Sequence, residues 1–118
     1  MPALLAAGGA DAHALVVSSE PAPGAALAAA PATVRVRFNS RIDPLRSRLL
    51  LIAGEGVSGA GATPMPLEIA AAVEPTLIEA ACPPLNPGPW RLRWQVLAVD
   101  GHITRGDIPF TIVPAPAR

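Results

Sequence analysis

Trp90-Arg91-Leu92-Arg93-Trp94-Gln95-Val96 alternates apolar and polar side chains along its whole length. A period of two places Trp90, Leu92, Trp94 and Val96 on one face of an extended strand, and Arg91, Arg93 and Gln95 on the other. Asn86-Pro87-Gly88 marks the turn leading in, and Asp100-Gly101-His102 supplies turn residues a short way beyond. No segment of helical period and useful length competes with this reading.

Working outward, Val34-Arg35-Val36-Arg37-Phe38 repeats the same alternation. Ala14 to Ser18, Leu49 to Ile52, Leu67 to Val73, Thr76 to Ala81 and Ile108 to Val113 complete the set of expected strands. A Gly-rich loop follows Leu49–Ile52, from Gly54 to Ala62, and Ala25 to Ala30 is expected to form one helical turn stopped by Pro31. Fifteen Pro and ten Gly separate these runs, too many to be housed inside helices. About seven short strands spaced near ten residues apart predict an all-β, immunoglobulin-like β-sandwich.

The chain has 118 residues, one domain by length, and can bury enough surface to fold without staples. Its apolar content is largely Ala and Val, so Phe38, Phe110, Trp90 and Trp94 are the few large pieces of the core. Nine Arg balance nine acids, with no Lys, and a net charge of zero gives no reason to expect nucleic acid or an anionic membrane as partner. Arg35, Arg37, Arg91 and Arg93 read as out-facing strand positions, with a basic stripe on one sheet face as the alternative. Cys82 has no second cysteine to pair with. It reads as a half-buried thiol at a strand end, with a copper-ligating thiolate as the alternative.

Residues 1–12, MPALLAAGGADA, hold a short apolar stretch and an Ala10-Asp11-Ala12 of the small-x-small form that signal peptidase cleaves. The segment lacks a positive start, and is read as a truncated signal-peptide remnant or a disordered lead. The domain is placed at 13–114, with a short tail at 115–118. No apolar run is long enough for a membrane span.

Cleavage after Ala12 would make His13 the first residue. His13 and His102 are the chain's two histidines. In Asp100-Gly101-His102 the two-residue spacing lets a carboxylate and an imidazole point to one side of an extended segment, and Gly101 frees the backbone to turn. A terminal His13 would add an α-amine and an imidazole, and three nitrogens with one oxygen suit the tetragonal preference of Cu(II). Protons compete for the same atoms, so such a site weakens in acid. Against it stands the plain turn: Asp-Gly is common in loops, and a lone His after it is usually only exposed.

His13-Ala14-Leu15 followed by Ser18-Ser19-Glu20-Pro21-Ala22-Pro23-Gly24 resembles the opening of the CopC copper-resistance family. Val34 to Phe38 resembles its next strand, and Leu85 to Trp94 is similar to its Leu-x-x-Gly-x-Tyr-x-Val-x-Trp. Trp94 to His102 is similar to its Trp-x-x-x-Ser-x-Asp-Gly-His, the most specific of these motifs. The resemblance runs from His13 to Val113. It implies a periplasmic Greek-key β-barrel or sandwich that carries one Cu(II) ion on His13, Asp100 and His102. It also suggests a CopD-type inner-membrane importer as the partner that receives copper; the chain is expected to be a monomer. Three departures stand out. Met65 is the one Met in the region where some members build a Met-rich Cu(I) site. Ser40 stands where an acidic residue often follows Phe-Ser, and Ala98 replaces the Ser before Asp-Gly-His.

Three functions compete on these residues: a Cu(II) carrier without enzymatic activity, a histidine-brace copper oxygenase, and a metal-free immunoglobulin-like interaction module. Asp100 would fill a position that oxygen chemistry needs open, which weighs against the oxygenase. The metal-free module is favoured if the mature protein begins at Met1, because an internal His13 has no free amine to offer.

Overall fold

The computed structural model describes residues 14–54, 63–71 and 74–114. Eight strands form among them: β1 (Val16–Glu20), β2 (Ala25–Leu27), β3 (Thr33–Phe38), β4 (Arg48–Ala53), β5 (Met65–Leu67), β6 (Leu77–Ala81), β7 (Gly88–Leu97) and β8 (Ile103–Ile112). They make a three-stranded sheet in the order β1-β3-β6 and a five-stranded sheet in the order β2-β8-β7-β4-β5. Successive strands repeatedly change sheet, the connectivity expected of a Greek-key sandwich. Among the described residues no helix is long and apolar enough to cross a membrane.

The core follows the alternation. Leu92, Trp94 and Val96 of β7 are buried, as are Val34, Val36 and Phe38 of β3, Leu49 and Leu51 of β4, and Ile108, Phe110 and Ile112 of β8. Burying each such side chain contributes about 1.5–3 kcal/mol, which is why a core poor in aromatics suffices. Phe38 and Trp94 meet across the two sheets, ring edge to ring face, with centroids 5.1 Å apart.

Three expected elements differ. Ala25–Leu27 is a strand, not a helical turn, and lies parallel to Phe110–Ile112 of β8. The β8 edge offers unpaired backbone groups, and Gly24, at φ +79°, turns the chain so that its N–H reaches the Pro109 carbonyl at 2.7 Å. That pairing outweighs the helical preference of Ala over so few residues. The single strand expected over Leu67 to Val73 is divided: Met65–Leu67 pairs with β4, and Ile69 bridges Ala80 in the opposite sheet. Residues 72–73 lie outside the described residues, as do 55–62 of the expected Gly-rich loop. β8 begins at Ile103 rather than Ile108 and pairs with β7 along its whole length. Within it a Cβ on Gly106 would stand 2.6 Å from the Trp94 ring, so the glycine serves ring packing. A 3₁₀ turn at Pro44–Arg46, capped by the Asp43 carboxylate on the Leu45 N–H, was not anticipated.

The four arginines do not share a face. Arg35 and Arg37 lie on the three-stranded sheet beside Glu20, Glu79 and Glu74. Arg91 and Arg93 lie on the five-stranded sheet and both hold Asp107, at 3.1 and 2.8 Å.

Candidate metal centre

The turn joining β7 to β8 carries Asp100 and His102. Its closure is set by backbone: the Ala98 N–H donates to the His102 carbonyl and the Gly101 N–H to the Ala98 carbonyl, each at 2.9 Å. Gly101 sits at φ +92°, a conformation that any side chain would strain. Asp100 Oδ1 accepts the His102 backbone N–H at 3.0 Å and lies 3.2 Å from His102 Nδ1. Both side chains are partly open to solvent, 39% and 53% exposed. A carboxylate oxygen this close to a ring nitrogen can share an ion with it or hold its orientation.

Two further segments come to the same end of the sandwich. His102 and Thr104 have the same strand parity, and Thr104 Oγ1 donates to the Ala14 carbonyl at 3.3 Å. Ala14 is 1% exposed. Next to it, the Leu15 N–H donates to Asn39 Oδ1 at 2.8 Å and the Asn39 N–H donates to the Leu15 carbonyl at 2.9 Å. Past Asn39, Ile42 bridges Ala98 and the Val99 N–H donates to the Arg41 carbonyl. Ser40 precedes Arg41 in the chain, at the edge of the same bridge. The Ser40 hydroxyl is buried and has no hydrogen-bond partner among the described residues.

Asp100 and His102 are therefore together, as their spacing predicts. His13 lies outside the described residues, and among the described residues no three His, Cys, Asp or Glu gather as a metal cluster. Thr104 and Asn39 were not singled out. The parity of Thr104 with His102 was a readable signal, whereas the Asn39 bond to Leu15 spans 24 residues and is invisible to local pattern.

The other candidate donors are elsewhere. Cys82 is bonded through its N–H to the Ala32 carbonyl at the start of β3, whereas Asn39, beside Leu15, follows the end of that strand. About 20 Å of strand separates them, so Cys82 is not at the Asp100–His102 turn. The thiol points to the Pro83 carbonyl at 3.4 Å, and burial pushes its pKa up. Met65 of β5 pairs with Leu51, which pairs with Leu92 in mid-β7, so β4 and β7 both lie between Met65 and β8. It is not beside the turn.

The arrangement can be set against known proteins. The CopC domain family matches residues 16–113, a span that includes Asp100 and His102. Copper resistance protein C of Xanthomonas campestris pv. juglandis is 32% identical over 115 residues, covering 93% of this chain and 87% of the relative. The crystal structure of CopC from Methylosinus trichosporium OB3b superposes with a TM-score of 0.75 over 90% of this chain and 99% of that one, at 24% identity, a likeness of fold. PcoC from Escherichia coli, described as a methionine-rich copper resistance protein, gives a TM-score of 0.68 at 25% identity over 85% of this chain and 98% of its own. With its sandwich, its Asp-Gly-His turn and these matches taken together, the chain belongs to the CopC family.

Proposed function

We propose that this protein is a carrier of a single Cu(II) ion in the periplasm, holding it between His13, Asp100 and His102 and releasing it to a membrane partner of the CopD type. The observation that carries the reading is the Asp100–His102 pair at 3.2 Å on a turn held by Gly101. Ala14, the neighbour of His13 in the chain, is anchored through Thr104 at the same end of the sandwich, which favours His13 as the third ligand. Consecutive Cα atoms are about 3.8 Å apart. If His13 is the mature first residue, its amine and imidazole bring the donor set to three nitrogens and one oxygen. Cu(II) heads the affinity order for such ligands.

The donor set also favours Cu(II) over Cu(I). Soft thioethers select Cu(I), and this chain has two Met, Met1 and Met65, where PcoC is described as methionine-rich. Leu15, Val99 and Ile103, each more than half exposed, stand beside the ligand-bearing segments. An apolar rim of this kind suits a protein acceptor that covers the ion during transfer. Asp100 beside His102 disfavours an oxygenase, which needs an open coordination position.

Mass spectrometry of the protein purified from the native envelope, followed by Cu(II) titration of the same sample, tests the proposal. A chain beginning at His13 that takes up one equivalent of Cu(II) is the expected result. A chain beginning at Met1, or one that takes up no Cu(II), contradicts it.

A further inference from the structure

The charges of this electrically neutral chain are not evenly spread. The outer face of the three-stranded sheet carries Glu20, Glu74 and Glu79 beside Arg35 and Arg37. The outer face of the five-stranded sheet carries Arg48, Arg91, Arg93 and Arg105 with Asp107 between them. Strand register explains the second cluster. Arg48 pairs with Gln95 and Gln95 with Arg105, so the three form one row across β4, β7 and β8. In the next row Arg93 stands opposite Asp107.

Pairing distinguishes these arginines. Arg35, Arg37, Arg46, Arg91 and Arg93 each face a carboxylate. Arg41, Arg48 and Arg105 have no carboxylate partner among the described residues; of these Arg48 and Arg105 stand in one row, where Asp107 is already shared by Arg91 and Arg93. Two strand spacings, about 10 Å, separate the Arg48 and Arg105 backbones, a span that two long side chains can close from both sides. Their side chains line a shallow hollow of about 400 Å³ together with Gln95, Arg93 and Asp107. Two unpaired cations beside one amide repel each other, and a bound anion relieves that repulsion. The planar guanidinium presents paired N–H donors that match a phosphoryl group's oxygens.

We propose that the Arg48–Gln95–Arg105 row is a second, copper-independent binding site, for a phosphoryl anion. The anion lies between the two guanidiniums over the Gln95 amide, with the Arg93–Asp107 pair as its lower wall. Free phosphate and the phosphodiester of an anionic lipid headgroup share this chemistry, and separate arms of one experiment distinguish them.

The full, copper-free chain is titrated with inorganic phosphate by calorimetry, and its sedimentation with phosphatidylglycerol vesicles is compared with that on phosphatidylcholine vesicles. Arg48→Gln, Arg105→Gln and, as a control on the opposite face, Arg35→Gln are measured alongside. Saturable phosphate binding that weakens at least about tenfold in Arg48→Gln and Arg105→Gln, with Arg35→Gln unchanged, is the expected result. Binding to phosphatidylglycerol vesicles that is lost in the same two variants identifies the headgroup as the source. Phosphate binding without vesicle binding identifies the free anion. Phosphate affinity equal in all variants, or unsaturable phosphate binding with no preference between the two vesicle types, overturns the proposal.

Discussion

Asp100 does two jobs at once in the β7–β8 turn. Its Oδ1 accepts the His102 backbone N–H and also faces the imidazole Nδ1, so the carboxylate fixes both the turn and the ring. Ser40 offers a separate handle on the site. Its hydroxyl is buried and unbonded among the described residues, and its neighbour Arg41 accepts the Val99 N–H at the start of the turn. An acid there would add an anionic oxygen near the turn that bears the candidate ligands without removing an existing hydrogen bond. Ser40→Asp is expected to tighten Cu(II) binding by about tenfold, in the range over which groups around a metal's ligands tune affinity. Competition against a chelator of known strength measures this; weaker binding than the parent would place Ser40 away from the ion.

At the scale of elements, the β7–β8 hairpin is the frame of the molecule, since it pairs along ten residues and delivers the turn that bears the candidate ligands. Gly106 is the point where that frame is least tolerant. A Cβ there meets Trp94 ring carbons at 2.6 and 2.9 Å, and Trp94 in turn packs on Phe38 of the other sheet. Gly106→Ala should cost about 1–3 kcal/mol, the usual range for overpacking. Denaturant unfolding and the near-ultraviolet circular dichroism of Trp94 read it out; unchanged stability would show that the ring moves aside freely. The same glycine explains what was and was not legible. Val34–Phe38 and Trp90–Val96 announce themselves because one face is core and the other solvent, and period two records that directly. Ile103–Asp107 does not, since its strand identity comes from pairing with β7 and from the ring above Gly106. Ala25–Leu27 was hidden for a related reason: its partner, Phe110–Ile112, is 85 residues away in register. The candidate metal site divides the same way. Asp100 and His102 were readable because their geometry is local, while the anchoring of Ala14 by Thr104 and of Leu15 by Asn39 depends on the folded sheets.

For the whole molecule, acid stability rests in part on Asp107, whose carboxylate receives Arg93 Nε at 2.8 Å and lies 3.1 Å from an Arg91 nitrogen. The Arg93 hydrogen bond holds the Asp107 carboxyl below the ordinary carboxylate range, partial burial opposes this, and the charges of Arg93 and Arg91 reinforce it. The folded state therefore binds fewer protons at this group than the unfolded chain does. Its contribution is complete above the ordinary range, near pH 4, and is lost as pH falls through the lowered Asp107 value. Asp107→Asn is expected to cost about 1–2 kcal/mol at pH 7 and to flatten the decline in stability below about pH 4. Urea unfolding at several pH values measures both; an unchanged acid limb would assign that decline to other carboxylates.

The proposed Cu(II) site centres on the Asp-Gly-His turn. Competitive Cu(II) titration of the parent protein and His102→Ala, both beginning at His13, tests that most directly. One tightly bound Cu(II) in the parent and a loss of at least about a hundredfold in affinity in the variant are expected, beyond the 10–100-fold that changes around a ligand cost. Equal affinity in the two proteins would contradict the site.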